Sequence, residues 1–285
     1  MTVLRRGLPL LSILLALVLA GCSDSPPTAD RPASPSASPS AEEPWAVLEG
    51  PLERCGLQPP DLAQARFRHR VLRGDVGAIP SVSIGRGPVV AVLLHQTDGN
   101  GLCGWLPFAR AIEQEGMAAL AIDLCRYGEA ACRDVAAGTF EDADQVRPVA
   151  LAVAHARRHL GARRVVVVGA SMGGSVALMA AATTPGIDAV VDLSGPVAWP
   201  GMELVRRGRA VEVPALVAMA TSEGPEEVDG AATIVADLPA GSRLESPETG
   251  HGYELLAELD GTPLPLADEV LRWVRGSAPG AGGAR

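Results

Sequence analysis

Apolar residues between positions 67 and 274 fall into runs of two kinds. Val165–Val168 is four successive valines, and a run without polar alternation fits a strand buried on both faces, as in the middle of a parallel sheet. Val89–Leu94, Met117–Ile122, Ile187–Leu193 and Ala215–Met219 are of the same kind, and Arg243–Glu245 is a weaker one. Phe67–Leu72 and Ile79–Ile84 predict two further strands forming an antiparallel edge. Between these runs the period changes. Val146, Val149, Ala150, Val153 and Leu160 recur at three- and four-residue spacing, which predicts an amphipathic helix with Gly161 as its stop. Met172–Ala182, rich in Ala and Met, predicts a buried helix, and Leu266–Val274 a last one ended by Gly276. Strand runs alternating with helical patterns predict an α/β fold: a mostly parallel, doubly wound sheet with helices on both faces. The longest stretch without a strand, about 194–212, leaves room for a short lid and for no large cap domain. No internal repeat is present.

The first 44 residues follow neither pattern. Arg5 and Arg6 precede an apolar run from Leu8 to Ala20, which is too short to span a bilayer comfortably and has the layout of an export signal. Leu19-Ala20-Gly21-Cys22 resembles the lipobox of bacterial lipoproteins. That resemblance implies cleavage before Cys22, acylation of its thiol, and a protein held at the outer face of the bacterial cell membrane. Residues 23–44 are mostly Ser, Pro and Ala with no apolar period, so they cannot bury enough surface to repay ordering. The expected organisation is a signal peptide over 1–21, a disordered tether over 22–44, a folded domain over 45–276 and a disordered tail over 277–285.

An exported chain carries its thiols into an oxidising compartment. Besides Cys22 there are Cys55, Cys103, Cys125 and Cys132; an even number predicts two disulfides, with the pairing open. The absence of any Cys-x2-Cys pair argues against a zinc site. The formal charge is −9, which argues against a nucleic-acid partner. The chain has no Lys and a single Asn, Asn100, a bias that strips the arginines of individual meaning. Arg66, Arg68, Arg70 and Arg73 form the one early basic cluster, read as a solvated strand face.

Chemistry enters at Gly169-Ala170-Ser171-Met172-Gly173, directly after the valine run and before the Ala/Met-rich helix. A strand-to-helix turn this sharp needs small residues two before and two after the serine, and it leaves the hydroxyl proud of the sheet. In this context the chain resembles the α/β-hydrolase superfamily from about Val89 to Val274, and small dienelactone-hydrolase-like esterases in particular. The resemblance implies that Ser171 is the nucleophile and that a histidine later in the chain is its base. Of His69, His95, His155, His159 and His251, only His251 follows Ser171; it lies in Thr249-Gly250-His251-Gly252, after the last predicted strand. The acid that orients it is expected three positions beyond the small residue ending Ala215–Met219. Ala220 takes the small position and Glu223 the acid one, where relatives more often carry Asp. Asp192 is the alternative, followed by Glu226, Glu227 and Asp229.

The resemblance further implies an oxyanion hole of two backbone N–H groups. One belongs to Met172, the other to the residue after His95, where relatives carry His-Gly and this chain carries His95-Gln96; Thr97 is the substitute donor. His95 is expected to pack the loop, and Trp105, Phe108, Tyr127 and Trp199 to border the site. The implied activity is hydrolysis of an ester or thioester of a small acyl substrate through an acyl-enzyme, with no metal and no organic cofactor. The alternatives are an exopeptidase or amidase of the same fold, or a catalytically silent lipoprotein that binds a ligand or partner. Sequence does not indicate the oligomeric state.

Overall fold

The computed structural model describes residues 46–98, 100–133, 142–198, 211–259 and 261–276. In chain order these form β1 (Ala46–Val47), β2 (Leu57–Gln58), α1 (Pro60–Ala63), β3 (Arg68–Gly74), β4 (Gly77–Gly85), β5 (Val89–Leu94), α2 (Leu106–Gln114), β6 (Ala118–Ile122), β7 (Ala131–Cys132), α3 (Asp142–His159), β8 (Arg164–Ala170), α4 (Met172–Thr183), β9 (Ala189–Leu193), β10 (Ala215–Ala218), α5 (Pro225–Asp237), β11 (Arg243–Glu245) and α6 (Pro265–Arg275). Cys22, the signal and tether segments, Trp199 and the 277–285 tail lie outside the described residues, as does most of the stretch expected to supply a short lid.

One sheet organises the molecule, in the order β11-β10-β9-β8-β5-β6-β4-β3, with β7 paired to β4. From β11 to β6 every neighbouring pair is parallel. The β3–β4 hairpin is the antiparallel edge expected of Phe67–Leu72 and Ile79–Ile84. β8 sits mid-sheet, which accounts for its composition. Val166 and Val168 face α2 and α6, Val165 and Val167 face α3 and α4, and all four are fully buried. With a core on each side, no position of the strand is free to be polar.

The two cores split by parity along the neighbouring strands as well. Ala91 and Leu93 of β5 join Ile112 of α2 and Val270 of α6 on one face. Val90, Val92 and Leu94 join Val149 and Val153 of α3 on the other. Gly161 (φ 73°) follows α3, and Gly276 (φ 86°) caps α6 with its N–H on Arg272 and Trp273 carbonyls, the left-handed ending that glycine makes cheap.

The pairing left open by the sequence is Cys55–Cys103 and Cys125–Cys132. The first ties the N-terminal segment, which packs over the α2 face through Leu48, Leu52 and Leu62, to the loop after β5. Arg54 reinforces it. Its guanidinium reaches both oxygens of the fully buried Asp123 carboxylate at 2.8 and 3.0 Å and the Asn100 carbonyl at 2.8 Å. Among the described residues no helix is long and apolar enough to cross a membrane.

Candidate active site at the C-terminal ends of the strands

Ser171 stands between the last residue of β8 and the first of α4 with φ 49° and ψ −123°, a conformation a non-glycine residue holds only where its surroundings enforce it. They do so here. The Ser171 N–H donates to the Leu193 carbonyl at 2.7 Å, and its own carbonyl accepts from the Gly174 N–H at 2.7 Å. A Cβ on Gly169 would come 1.9 Å from the Gly173 carbonyl oxygen, and one on Gly173 would come 2.3 Å from the Leu94 carbonyl oxygen. The glycines flanking the serine are therefore demanded by backbone-to-backbone contact, and the turn cannot form with side chains there.

His251 follows β11 in an extended conformation (φ −145°). Its Nδ1 lies 2.9 Å from Glu223 Oε2, and Glu223 belongs to the single turn of 3₁₀ helix (Thr221–Glu223) that follows β10. The glutamate side chain is 16% exposed and the histidine ring 46%. With Nδ1 held by the carboxylate, Nε2 is the ring nitrogen left for proton transfer. Ser171 is 7% exposed. Backbone bonds lock the two loops together: Thr221 N–H donates to the Pro247 carbonyl and Ser222 N–H to the Glu248 carbonyl.

Asp192, the alternative acid, is engaged elsewhere. It is the penultimate residue of β9, is buried, and accepts from the Gly195 N–H at 2.7 Å. Burial, with the negative charge of Glu223 adding to it, pushes its carboxyl up to about 7 against the pull of the Gly195 N–H. Glu227 accepts from the Val197 N–H. Glu226, Glu227 and Asp229 lie in α5, the first two in its opening turn, where negative charge meets the positive end of the helix dipole.

On the facing loop, His95 is fully buried and bonded at both nitrogens. Nε2 accepts from the Leu124 N–H at 2.9 Å, and Nδ1 donates to the Gln96 carbonyl at 2.7 Å. Burial lowers its proton affinity, so it is a neutral strut between the loops after β5 and β6. The Gln96 N–H donates to the Tyr253 hydroxyl at 3.1 Å, and that hydroxyl donates to the Asp98 carboxylate. Burial holds the Tyr253 phenol well above its usual range, and burial raises Asp98 as well. Met172, first residue of α4, has an N–H with no acceptor inside its own helix.

Tyr253 and Asp98 were missed by the sequence reading. Tyr253 is one of only two tyrosines in the chain and stands two residues after His251, a proximity that was its only signal. Its ring packs edge-on to buried Trp105 with centroids 4.9 Å apart. Of the other residues expected at the rim, Trp105 and Phe108 belong to the α2-side core, and Tyr127 packs edge-on against His95 at 5.1 Å. Among the described residues no cluster of His, Cys, Asp or Glu is arranged to hold a metal ion.

Comparison with known proteins agrees with this architecture. A family model for the alpha/beta hydrolase fold matches residues 90–208. An esterase of Pyrococcus furiosus superposes with a TM-score of 0.62 at 16% identity, covering 84% of this chain and 98% of its own. A dienelactone hydrolase of Anabaena variabilis gives 0.60 at 18% identity, with 75% and 98% covered. A 2,6-dihydroxy-pseudo-oxynicotine hydrolase gives 0.55 at 18%, with 75% and 68% covered. No curated protein matches the chain in sequence. The chain thus carries the α/β-hydrolase fold, and the family's sequence pattern runs through residues 90–208, the part that contains the Ser171 turn.

Proposed function

We propose that the protein is a serine hydrolase cleaving an ester or thioester through an acyl-enzyme on Ser171, with His251 as general base and Glu223 as the acid that orients it. The carrying observation is the pair of preorganised elements at one sheet edge: a serine forced to φ 49° on a strand-to-helix turn, and a Glu223–His251 bond of 2.9 Å on the loops after β10 and β11. Acylation begins as Ser171 Oγ attacks the carbonyl carbon and passes its proton to His251 Nε2. The Glu223 carboxylate stabilises the imidazolium through Nδ1–H. Collapse of the tetrahedral intermediate breaks the bond to the leaving oxygen or sulfur, which takes the proton from His251 and departs as alcohol or thiol. Water then attacks the acyl-enzyme, gives a proton to His251, and the acid leaves as Ser171 recovers its hydrogen.

The negative oxygen of each intermediate is assigned to the Met172 and Gln96 N–H groups, donors typically worth about 2.7–4 kcal/mol apiece. The first lies at the positive end of α4. The second is occupied by Tyr253 in the free protein, so substrate must displace the phenol oxygen to complete the hole. The same reading places the protein outside the cytoplasm on a lipid carried by Cys22, with the 22–44 segment as spacer.

The test is labelling of the purified protein by a fluorophosphonate, together with turnover of p-nitrophenyl acetate and butyrate, beside Ser171→Ala, His251→Ala and Glu223→Gln. Labelling abolished in Ser171→Ala and strongly reduced in His251→Ala, with esterase activity at background in both alanine variants, is the expected result. A folded wild-type protein that neither labels nor turns over ester refutes the enzymatic assignment.

A further inference from the structure

We propose that a groove at the opposite corner of the sheet, lined by Arg68, Arg70, Arg86, Arg158, His155 and His159, is a binding site for a phosphate-bearing anion. Read as sequence, Arg68 and Arg70 belong to a strand face turned to water. In the fold that face lies beside the last turn of α3, and with Arg86 from beyond β4 it lines a groove of about 850 Å³. No Asp or Glu is among the described residues lining it. The absence of Lys from the whole chain accounts for each cation being Arg. It does not explain why the lining is purely basic in a chain with 33 acidic residues and 24 basic ones.

The groove lies away from the Ser171 site in two directions. β3 is four strands from β8 in the sheet order, about 19 Å at the usual strand spacing. The lining also takes in Ala118, the first residue of β6, and Leu160 after α3, so the groove opens where the parallel strands begin, whereas Ser171 stands where they end. Its contents are suited to phosphate. Guanidinium forks match phosphate oxygens in pairs and stay charged at every physiological pH. Arg68 spends one N–H on the Gly85 carbonyl at 2.9 Å and keeps its others. No ion-pair partner is present for Arg70, Arg86 or Arg158 among the described residues. The two imidazoles lie 4.9 Å apart. Burial, and after it the positive groups His159, Arg70 and Arg158, push the His155 proton affinity down. The volume exceeds what a lone phosphate fills and falls within the range of organic-ligand pockets.

The phosphate could belong to a soluble compound or to an anionic lipid headgroup, and the experiment separates these. The intact protein in neutral detergent is titrated calorimetrically with pyrophosphate, and separately with dihexanoyl phosphatidylglycerol and dihexanoyl phosphatidylcholine. The expected result is saturable binding of pyrophosphate or of the phosphatidylglycerol, with the phosphatidylcholine inert. Affinity should drop at least tenfold in Arg70→Gln/Arg158→Gln and weaken steeply with added NaCl. Preference for pyrophosphate identifies a soluble ligand; preference for phosphatidylglycerol identifies a headgroup. Circular dichroism checks that the variant is folded, and Arg86→Gln alone is the second variant if the double one is not. Absence of saturable binding to either probe, or equal affinity in a folded variant, overturns the proposal. Ester turnover is unaffected in these variants, so failure of the groove and failure of the Ser171 assignment are read separately.

Discussion

Tyr253→Phe tests how the oxyanion loop is set, because it should move stability and activity in opposite directions. The phenol oxygen makes two bonds: it accepts from the Gln96 N–H at 3.1 Å and donates to the Asp98 carboxylate. A neutral bond of the first kind is worth about 0.5–1.5 kcal/mol net, and one to a charged partner about 1.5–3 kcal/mol. Asp98 is only half-buried, so solvent screening places the second bond near the bottom of its range. The variant is expected to lose roughly 1–3 kcal/mol of stability, or about 3–10 °C in Tm for a domain of this size. For catalysis the sign reverses. Substrate no longer has to displace the hydroxyl from the Gln96 N–H, and recovering about 0.5–1.5 kcal/mol raises kcat/KM roughly 2- to 12-fold. The assay is p-nitrophenyl butyrate turnover beside a urea melt. A fall in kcat of tenfold or more, with KM unchanged and the protein folded, would refute the reasoning. It would mean that the hydroxyl itself serves the transition state or that the loop needs it to hold its shape.

The other expectations are briefer. Glu223→Gln keeps the shape of the His251 contact but removes its charge, so kcat should fall by roughly 10²–10⁴ with little change in Tm; an unchanged kcat would remove Glu223 from the mechanism. Asp192 has its folded pKa raised to about 7 from an ordinary carboxyl value near 4, so the native state holds a proton that the unfolded chain releases. Its contribution is therefore fully present below pH 4 and lost as pH rises to 7. Asp192→Asn should become steadily more stable relative to wild type across that window, as read from denaturant melts at pH 4.5, 6 and 7.5; a difference independent of pH would contradict the assignment. Removal of Cys55–Cys103, which spans 48 residues, should cost about 4 kcal/mol by loop entropy, against about 2.5 kcal/mol for Cys125–Cys132, which spans 7. Equal losses in Cys→Ser pairs would show that native contacts, not chain entropy, dominate. Gly173→Ala sets a Cβ 2.3 Å from the Leu94 carbonyl and should cost at least about 2 kcal/mol, read from the shift in denaturant midpoint.

What the sequence disclosed of the fold follows the strength of burial. β5 and β8 are buried on both faces, so their apolar runs end almost where the strands do. In the β3–β4 hairpin the arginines of β3 mark an exposed strand, whereas β4 is buried along nearly its whole length. α2 went unrecognised although Leu106, Ala109 and Ile112 are buried at three-residue spacing, its signal being interrupted by Pro107 at the first turn. α5 was not predicted, because only Ala231 and Ile234 are buried in it, too few to set a period. β7 is two residues long and rests on its pairing with β4 and on Cys132, neither of which a pattern reveals. For the site, the residue order of the hydrolase family that the chain resembles singled out His251 and Glu223, and the fold brings the two within 2.9 Å. Tyr253 was invisible for a different reason. Its contacts with Gln96 and Asp98 span more than 150 residues and are made through a hydroxyl, and no periodicity encodes such a meeting.

The loop that carries Gln96 shows why so many polar groups are buried at this edge. Its carbonyl is held by His95 and its N–H by Tyr253. His95 in turn receives the Leu124 N–H, one residue beyond Asp123, which accepts from Leu102, Glu129 and Arg54. Arg54 adjoins Cys55, whose disulfide returns to Cys103 in the same loop. Each buried polar atom in this circuit is costly alone and stable only in company, so the circuit has few arrangements available to it. Electrostatic stabilisation of an oxyanion depends on donors that need little reorganisation at the moment of reaction; a loop fixed at the Gln96 carbonyl by His95 keeps the direction of the Gln96 N–H, and the one adjustment left is the departure of the Tyr253 hydroxyl from it. The disulfide closes the circuit by covalent means. On this reasoning the Cys55–Cys103 bridge and the rigidity of the Gln96 loop are one adaptation, and loosening the bridge should reach the Gln96 N–H through Arg54, Asp123 and His95.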